Sequence, residues 1–330
     1  MARYIVRRVL WGIAMLWIVS AVVFVIFYVF PSADPAQLRA GREASPAQVE
    51  AIRHSLGLDK PVYTQYWDYL RNIVLHFDLG YSYQSNEPVK NLIFDRLPAT
   101  IWLVTGAAIL WLIMGIPVGI ISAIKRRSLL DRTTMVTSLA FISAPVFWLG
   151  LVALYLFAND VGVLNNVPPF GIDLAVFPGI GSYITASTFQ AKVGSMLLPW
   201  FVLAAASAAI YARYLRSSLI DVMSEDYIRT ARAKGLPEKT VIMRHGVRSA
   251  ITPIVTLLGL DIGILLAGNA ILTESVFNIP GVGRLVYTSI ARSDLPVIQG
   301  VTIFGAFFII IFNLIVDVAY AYLDPRVRYQ

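Results

Sequence analysis

A chain of 330 residues in which 57% are hydrophobic and only 14% are charged, with mean hydropathy +0.68, does not have the composition of a water-soluble globule, whose charged share is roughly a quarter. The absence of cysteine excludes disulfides, thiol nucleophiles and thiolate metal sites, and the three histidines, His54, His76 and His245, lack metal-ligand spacing. The net charge of +7 has no nucleic-acid-binding motif beside it.

Lipid is therefore the expected solvent. Six stretches are long and apolar enough to cross roughly 30 Å of hydrocarbon at about 1.5 Å per residue. They cover approximately 9–30, 99–124, 133–158, 196–215, 251–272 and 297–323. The expected fold class is an all-α integral membrane protein with six transmembrane helices. Arg3, Arg7 and Arg8 precede the first stretch as they would in a signal peptide, but its apolar run exceeds a cleavable core, so a retained helix is expected.

Between the first and second stretches lies a long loop, 31–98. Ser45-Pro46-Ala47-Gln48 reads as a capping box with proline at the first helical position, and Gly57 is placed to end that helix. Tyr63, Tyr66, Trp67, Leu70, Ile73, Val74 and Phe77 then recur at helical spacing. Such an aromatic stripe suits packing on the helix tops, the water–lipid interface or a partner. The expected organisation is 1–30 (terminal segment and first helix), 31–98 (a partly helical extracytoplasmic loop) and 99–330 (a five-helix core).

Within the spans, small residues mark close helix approach: Gly115 and Gly119 in the second, the alanine-rich 204–209 in the fourth, and Gly259, Gly263 and Ala267 in the fifth. Asp261 near the middle of the fifth span is costly in lipid, about 2.5–3.5 kcal/mol, and must face protein or water. With Asn269, Asn313 and Asp317 it is a candidate for lining a pathway or for pairing between helices. Asp317 lies one turn from Tyr320.

Lys and Arg set the orientation. With the N-terminus inside, inner segments hold 17 and outer ones 10, and seven of those ten fall in the long loop, leaving 17 against 3 for short connections. Both termini are expected in the cytoplasm. Topology accounts for the positive balance without nucleic acid.

Eight of the inner cations fall between Arg213 and Arg248, seven of them in the connector between the fourth and fifth spans, 216–250. Ser224 is a plausible N-cap, Glu225 and Asp226 suit the first turn, and Arg229, Arg232 and Lys234 suit the end of a short helix. Gly235 fits a left-handed cap and Pro237 stops continuation, so a second helix can start at Glu238 and lead to the fifth span. Tyr227, Ile228 and Ala231 are expected on one side and the cations on the other. Such a knob could anchor to acidic lipid or fill a groove on a partner.

These residues resemble the coupling loop of permease subunits of ATP-binding-cassette importers, in the dipeptide, oligopeptide and nickel branch. Aligned on Gly235, the family's Glu-Ala-Ala falls on Arg229-Thr230-Ala231, of which only the second alanine is kept. LGLDKPVYTQYWDYL (56–70), DLGYS (78–82), RLPAT (96–100), SVFNIPGVGRL (275–285) and NLIVDVAYAYLDPRVR (313–328) look like the same branch, in order, across essentially the full length. The large loop after the first helix resembles the B-type permease. The resemblance implies a type I importer permease fold and a bacterial or archaeal plasma membrane. It also implies a paralogous second permease, two ATPase subunits and an extracytoplasmic solute-binding protein, with di- or oligopeptide as cargo. Residues Glu225, Asp226, Tyr227, Arg229, Thr230, Ala231, Arg232, Ala233, Lys234, Gly235 and Leu236 would form the ATPase-coupling loop.

No GxxxxGK[ST] loop, HExxH or GxSxG is present, so the chain is expected to be non-enzymatic and without a cofactor; ATP and Mg would belong to partner subunits. Two alternatives remain open from the residues alone: an ion-coupled carrier in which Asp261 or Asp317 relays a proton, and a non-transporting membrane adaptor.

Overall fold

The computed structural model describes residues 2–30, 34–41, 44–164 and 176–323, with side chains for all of these except 2–4 and 319–323. In chain order the helices begin with α1 (Ala2–Phe24), continued by a π-helical turn (Val25–Val29), then α2 (Pro35–Ala40), α3 (Pro46–Ser55), α4 (Val62–His76) and α5 (Val89–Ile124). Next come α6 (Leu129–Ser143), α7 (Val146–Phe157), α8 (Ser182–Thr185), α9 (Phe189–Val222), α10 (Asp226–Ala233) and α11 (Glu238–Thr240). A second π-helical segment (Val241–Val247) leads into α12 (Arg248–Ala250) and α13 (Thr252–Ile264). A third π turn (Leu265–Asn269) precedes α14 (Ile271–Val276), α15 (Val282–Ala291) and α16 (Leu295–Leu323).

Among the described residues five helical segments are long and apolar enough to span a membrane, and α6 with α7 adds a sixth if the pair, bent by 104°, is counted as one span. The third span expected over 133–158 is thus two helices. Pro145 excludes helical backbone at the residue before it, and Ala144 is extended (φ −82°, ψ 125°). The fifth span is also interrupted: Gly268 takes a left-handed conformation (φ 101°) that ends the run after α13.

By contacts the chain forms two compact units, one of residues 1–100, 263–271 and 280–318, the other of 101–262, 272–279 and 319–330. In the first, the N-terminal turns of α5 contribute Val89, Ile93 and Leu97, one turn apart. They pack with Val282 and Leu285 of α15 and with Val297, Val301 and Phe304 of α16. Thr100 Oγ1 accepts the Val282 N–H at 2.8 Å, capping α15 from a distant part of the chain. Ser82 Oγ donates to Asp294 Oδ2 and the Tyr83 N–H to Oδ1 at 2.9 Å, tying the 78–82 motif to the start of α16. At α3 the capping box and the positive φ of Gly57 (66°) match expectation. The aromatic stripe lies on α4.

In the second unit α9 is the central element, and its stripe of Ala204, Ala205, Ala208 and Ala212 is buried. A methyl added to Gly115 or Gly119 would meet the Ala208 or Ala212 carbonyl oxygen at 2.8 and 2.7 Å, so only glycine allows α5 to approach so closely. Gly106 leaves the slot filled by the Trp200 ring, whose Nε1 donates to the Trp102 carbonyl at 3.0 Å. The fifth-span small residues lie in the first unit from Gly263 onward. Gly263 sits against Phe312, and Ala267 against Gly305.

Replacing Gly119 by valine forces its branched side chain against the α9 backbone. We expect a loss of about 1–3 kcal/mol, read as a lower thermal midpoint in detergent. Gly194→Ala, whose added methyl meets only Pro178 Cγ at 4.0 Å and which favours the helix, should not lower the midpoint.

Candidate functional site

At about 1.5 Å per residue, the 34-residue α9 is about 51 Å long, well beyond the roughly 30 Å of hydrocarbon, so part of the helix lies outside the hydrocarbon, and its last residues, from Arg216, already belong to the connector. Its end is closed by Ser224, whose Oγ donates to the Asp221 carbonyl at 2.6 Å. Ser224 is therefore not the N-cap of α10, contrary to expectation. Its hydroxyl is used by the preceding helix, and Glu225, with extended backbone, takes the cap position without a side-chain bond. Asp226 supplies the acid of the first turn and Arg232 the base of the last, which suits the helix dipole.

The C-terminal end follows expectation closely. The Gly235 N–H donates to the Arg232 carbonyl at 2.9 Å, and Gly235 is left-handed at φ 74°. Pro237 then starts α11. Arg232 grips Glu238 through two bonds of 3.1 and 2.7 Å, pinning α10 to α11. That guanidinium draws the Glu238 carboxyl below its ordinary range. Arg229 pairs with Asp226 at 3.2 Å, so at least two of the connector's cations are engaged within the connector itself.

Ile228 and Ala231 are buried against Val241 and half-buried Met223. Tyr227, expected on that face, is instead exposed. With about 100° between successive residues, Tyr227 falls to one side of an inward face narrow enough to hold only Ile228 and Ala231. Asp226, Arg229, Thr230 and Ala233 occupy the opposite, exposed side, and Lys234 and Leu236 are exposed beyond it. Ala231, one of the residues expected in the coupling loop, is thus not presented to a partner: it anchors α10 to its own chain. Where the chain returns, Gly246 passes so close to the end of α9 that an added methyl would lie 2.9 Å from Met223 Sδ. Ser218 Oγ donates to the Ala250 carbonyl at 3.1 Å. The short helix is a stiff projection held at both roots.

A brace sits at the same end of α9. Asp131, in the first turn of α6, accepts from Arg216 Nε at 2.7 Å and Nη2 at 2.8 Å, and also from Ser122 Oγ and the Arg127 N–H. The carboxylate is buried and every bond to it comes from a neighbouring element or turn. Sequence reading missed this pair; its one signal was Ser128-x-x-Asp131, where Ser128 Oγ accepts the Asp131 N–H and starts α6.

The four pathway candidates separate. Tyr211 Oη donates to Asp261 Oδ2 at 2.8 Å, and Asp317 pairs with Arg8 at 2.9 Å. Asn269 is exposed beside the Gly268 break, and Asn313 is exposed on α16. Tyr320, expected near Asp317, lies outside the described side chains.

Spans of this number, with a short capped helix between the fourth and fifth, define a multi-pass membrane protein. Residues 115–329 match the family described as binding-protein-dependent transport system inner membrane component, and residues 1–104 match its N-terminal companion. The chain is 41% identical over all 330 residues, covering both chains fully, to the glutathione transport system permease protein GsiC of Escherichia coli O6:H1. It is 40% identical, again with full coverage of both, to the proteins of that name from Escherichia coli K12 and Shigella dysenteriae. The chain belongs to this family: it is a permease subunit of an ATP-binding-cassette importer of the peptide branch, a transport component and not an enzyme. Membership decides against the ion-coupled carrier and the adaptor.

Removing the Asp131 carboxylate leaves Arg216 without its main partner in a mostly enclosed site. Asp131→Ala should cost about 3 kcal/mol, the low end for a broken buried pair because Arg216 keeps some solvent access. Asp131→Ala combined with Arg216→Leu should recover most of it, measured as the thermal midpoint and the amount of chain retained in membranes.

Proposed function

We propose that this permease passes short peptides or peptide-like solutes, and that α10 is the element through which ATPase subunits drive it. The names of the relatives at 40–41% identity supply the cargo class: glutathione is a tripeptide. Together with an extracytoplasmic solute-binding protein, a second, paralogous permease and two ATPases would complete the assembly, with ATP and Mg held by the ATPases. Both termini and the 216–250 connector would lie in the cytoplasm, as the distribution of Lys and Arg favours.

The observation that carries the coupling role is the division of α10 into two faces. Ile228 and Ala231 are spent on the chain's own core, while Asp226, Arg229, Thr230 and Ala233 are left on a helix that is too well anchored to slide. A load applied to that face passes through the Ile228 anchor into the end of α9, which the Asp131–Arg216 pair joins to α6. A helix seated in a groove on a partner transmits force only if it cannot rotate or fray. The left-handed Gly235 and the Arg232–Glu238 pair supply that stiffness.

Ala233→Trp enlarges the exposed face and leaves the buried one intact. With normal abundance of the chain, it should reduce uptake and solute-stimulated ATP hydrolysis by at least about tenfold, the scale of 1.4 kcal/mol of lost docking. Gly235→Pro, which removes both the donor and the left-handed backbone, should do the same. Normal transport by both variants would refute the coupling assignment. Cargo is tested separately, by purifying the assembly through this chain and asking whether glutathione, a dipeptide or a longer peptide, each with its binding protein, stimulates ATP hydrolysis. Stimulation by nickel alone would reject the peptide reading.

A further inference from the structure

The exposed stripe on α4 has a geometry that fixes what covers it. With about 100° per residue, Tyr63, Trp67, Leu70 and Val74 fall within an arc of about 60°. Tyr63, Trp67 and Val74 are 77%, 65% and 69% exposed, an unusual concentration of bare aromatic and branched surface on one helix. Tyr66 and Tyr69, which lie about a quarter-turn round the helix, do not share this exposure. They join Phe24 and Tyr28 in a cluster with ring centroids 4.9–6.5 Å apart. The Tyr66 hydroxyl lies 3.1 Å from Ser20 Oγ.

Residues 20–28 belong to α1 and its π turn, within the apolar span Ile5–Val29. An element that touches these residues lies beside the last turns of a membrane span, level with the bilayer face opposite the N-terminus and not above it. Asp68, which pairs with Lys60 at 3.1 Å, and Asn72 lie about 140° and 180° from Tyr63, while the exposed Arg71 borders the ridge about 40° from Trp67. Membrane depth on one flank, a bare Tyr/Trp/Val ridge with half-buried Leu70 at right angles to it and a polar back describe a helix lying along the headgroup boundary.

We propose that α4 is an interfacial helix whose Tyr63–Trp67–Leu70–Val74 ridge is covered by lipid at the acyl–headgroup boundary, with the Lys60/Asp68/Asn72 side facing water. The helix thereby holds the outer end of α1 at a fixed depth through the Tyr66 and Tyr69 contacts.

The chain has no cysteine, so one introduced residue gives a single labelling address on it. Spin labels at Tyr63→Cys, Trp67→Cys, Val74→Cys and, as the opposite face, Asn72→Cys would be read in the assembled importer in lipid nanodiscs. The same assembly carrying the unmodified chain is subtracted to remove any signal from partner subunits. The ridge labels should relax more with lipid-dissolved oxygen than with an aqueous nickel chelate, and the Asn72 label the reverse. Ridge labels open to the nickel chelate would overturn the proposal. So would ridge labels closed to both reagents, since a protein partner would then cover the ridge. If one variant fails to assemble, the remaining ridge positions still decide the outcome.

Discussion

In lipid, apolar side chains gain little by leaving their solvent for one another, so helices associate through close contact and polar bonds. The second unit depends on one such contact, the approach of α5 to α9 over Gly115 and Gly119, where the carbonyl oxygens of Ala208 and Ala212 take the space of missing side chains. At the end of this seam Ser122 of α5 and Arg216 of α9 converge on Asp131. The carboxylate receives donors from both neighbours and from the turn at Arg127, so its burial is offset and the three helix ends are cross-linked. Because α9 continues past this brace into the connector, the stiffness of α10 is inherited from membrane packing as much as from its own caps.

The motifs that mark the family have structural work to do outside any binding role. In DLGYS, Asp78 Oδ1 accepts the Gly80 N–H, Gly80 takes positive φ (83°), and Ser82 binds Asp294. In RLPAT, Thr100 caps α15. In PGVGRL, an added methyl at Gly283 would lie 2.6 Å from the Gly268 carbonyl, so two glycines meet where the fifth span breaks. These are staples between segments distant in sequence, which explains why short strings far apart in the chain belong to one pattern.

Much of this was legible because lipid imposes a simple grammar. Apolar length placed the spans, small residues placed the α5–α9 seam, and Gly235 with Pro237 placed the end of α10. What could not be read were long-range contacts and one-residue choices. Pro145 was visible in the third stretch, yet hydropathy averaged over the break it causes. Ser224 had two helix ends to serve and closed the earlier one. Tyr227 looked apolar enough for the buried face, but that face was decided by Val241 and Met223, whose approach depends on a π-helical return that no local pattern announces. Asp131 and Arg216 are far apart in the chain, and nothing in the sequence links them.

The Arg8–Asp317 pair joins the first membrane helix to the last. Its two halves enter the bilayer at opposite ends of synthesis, so this bond cannot form until nearly the whole chain has been translated. The contact that ties the opening span to the closing one is therefore among the last the fold can make.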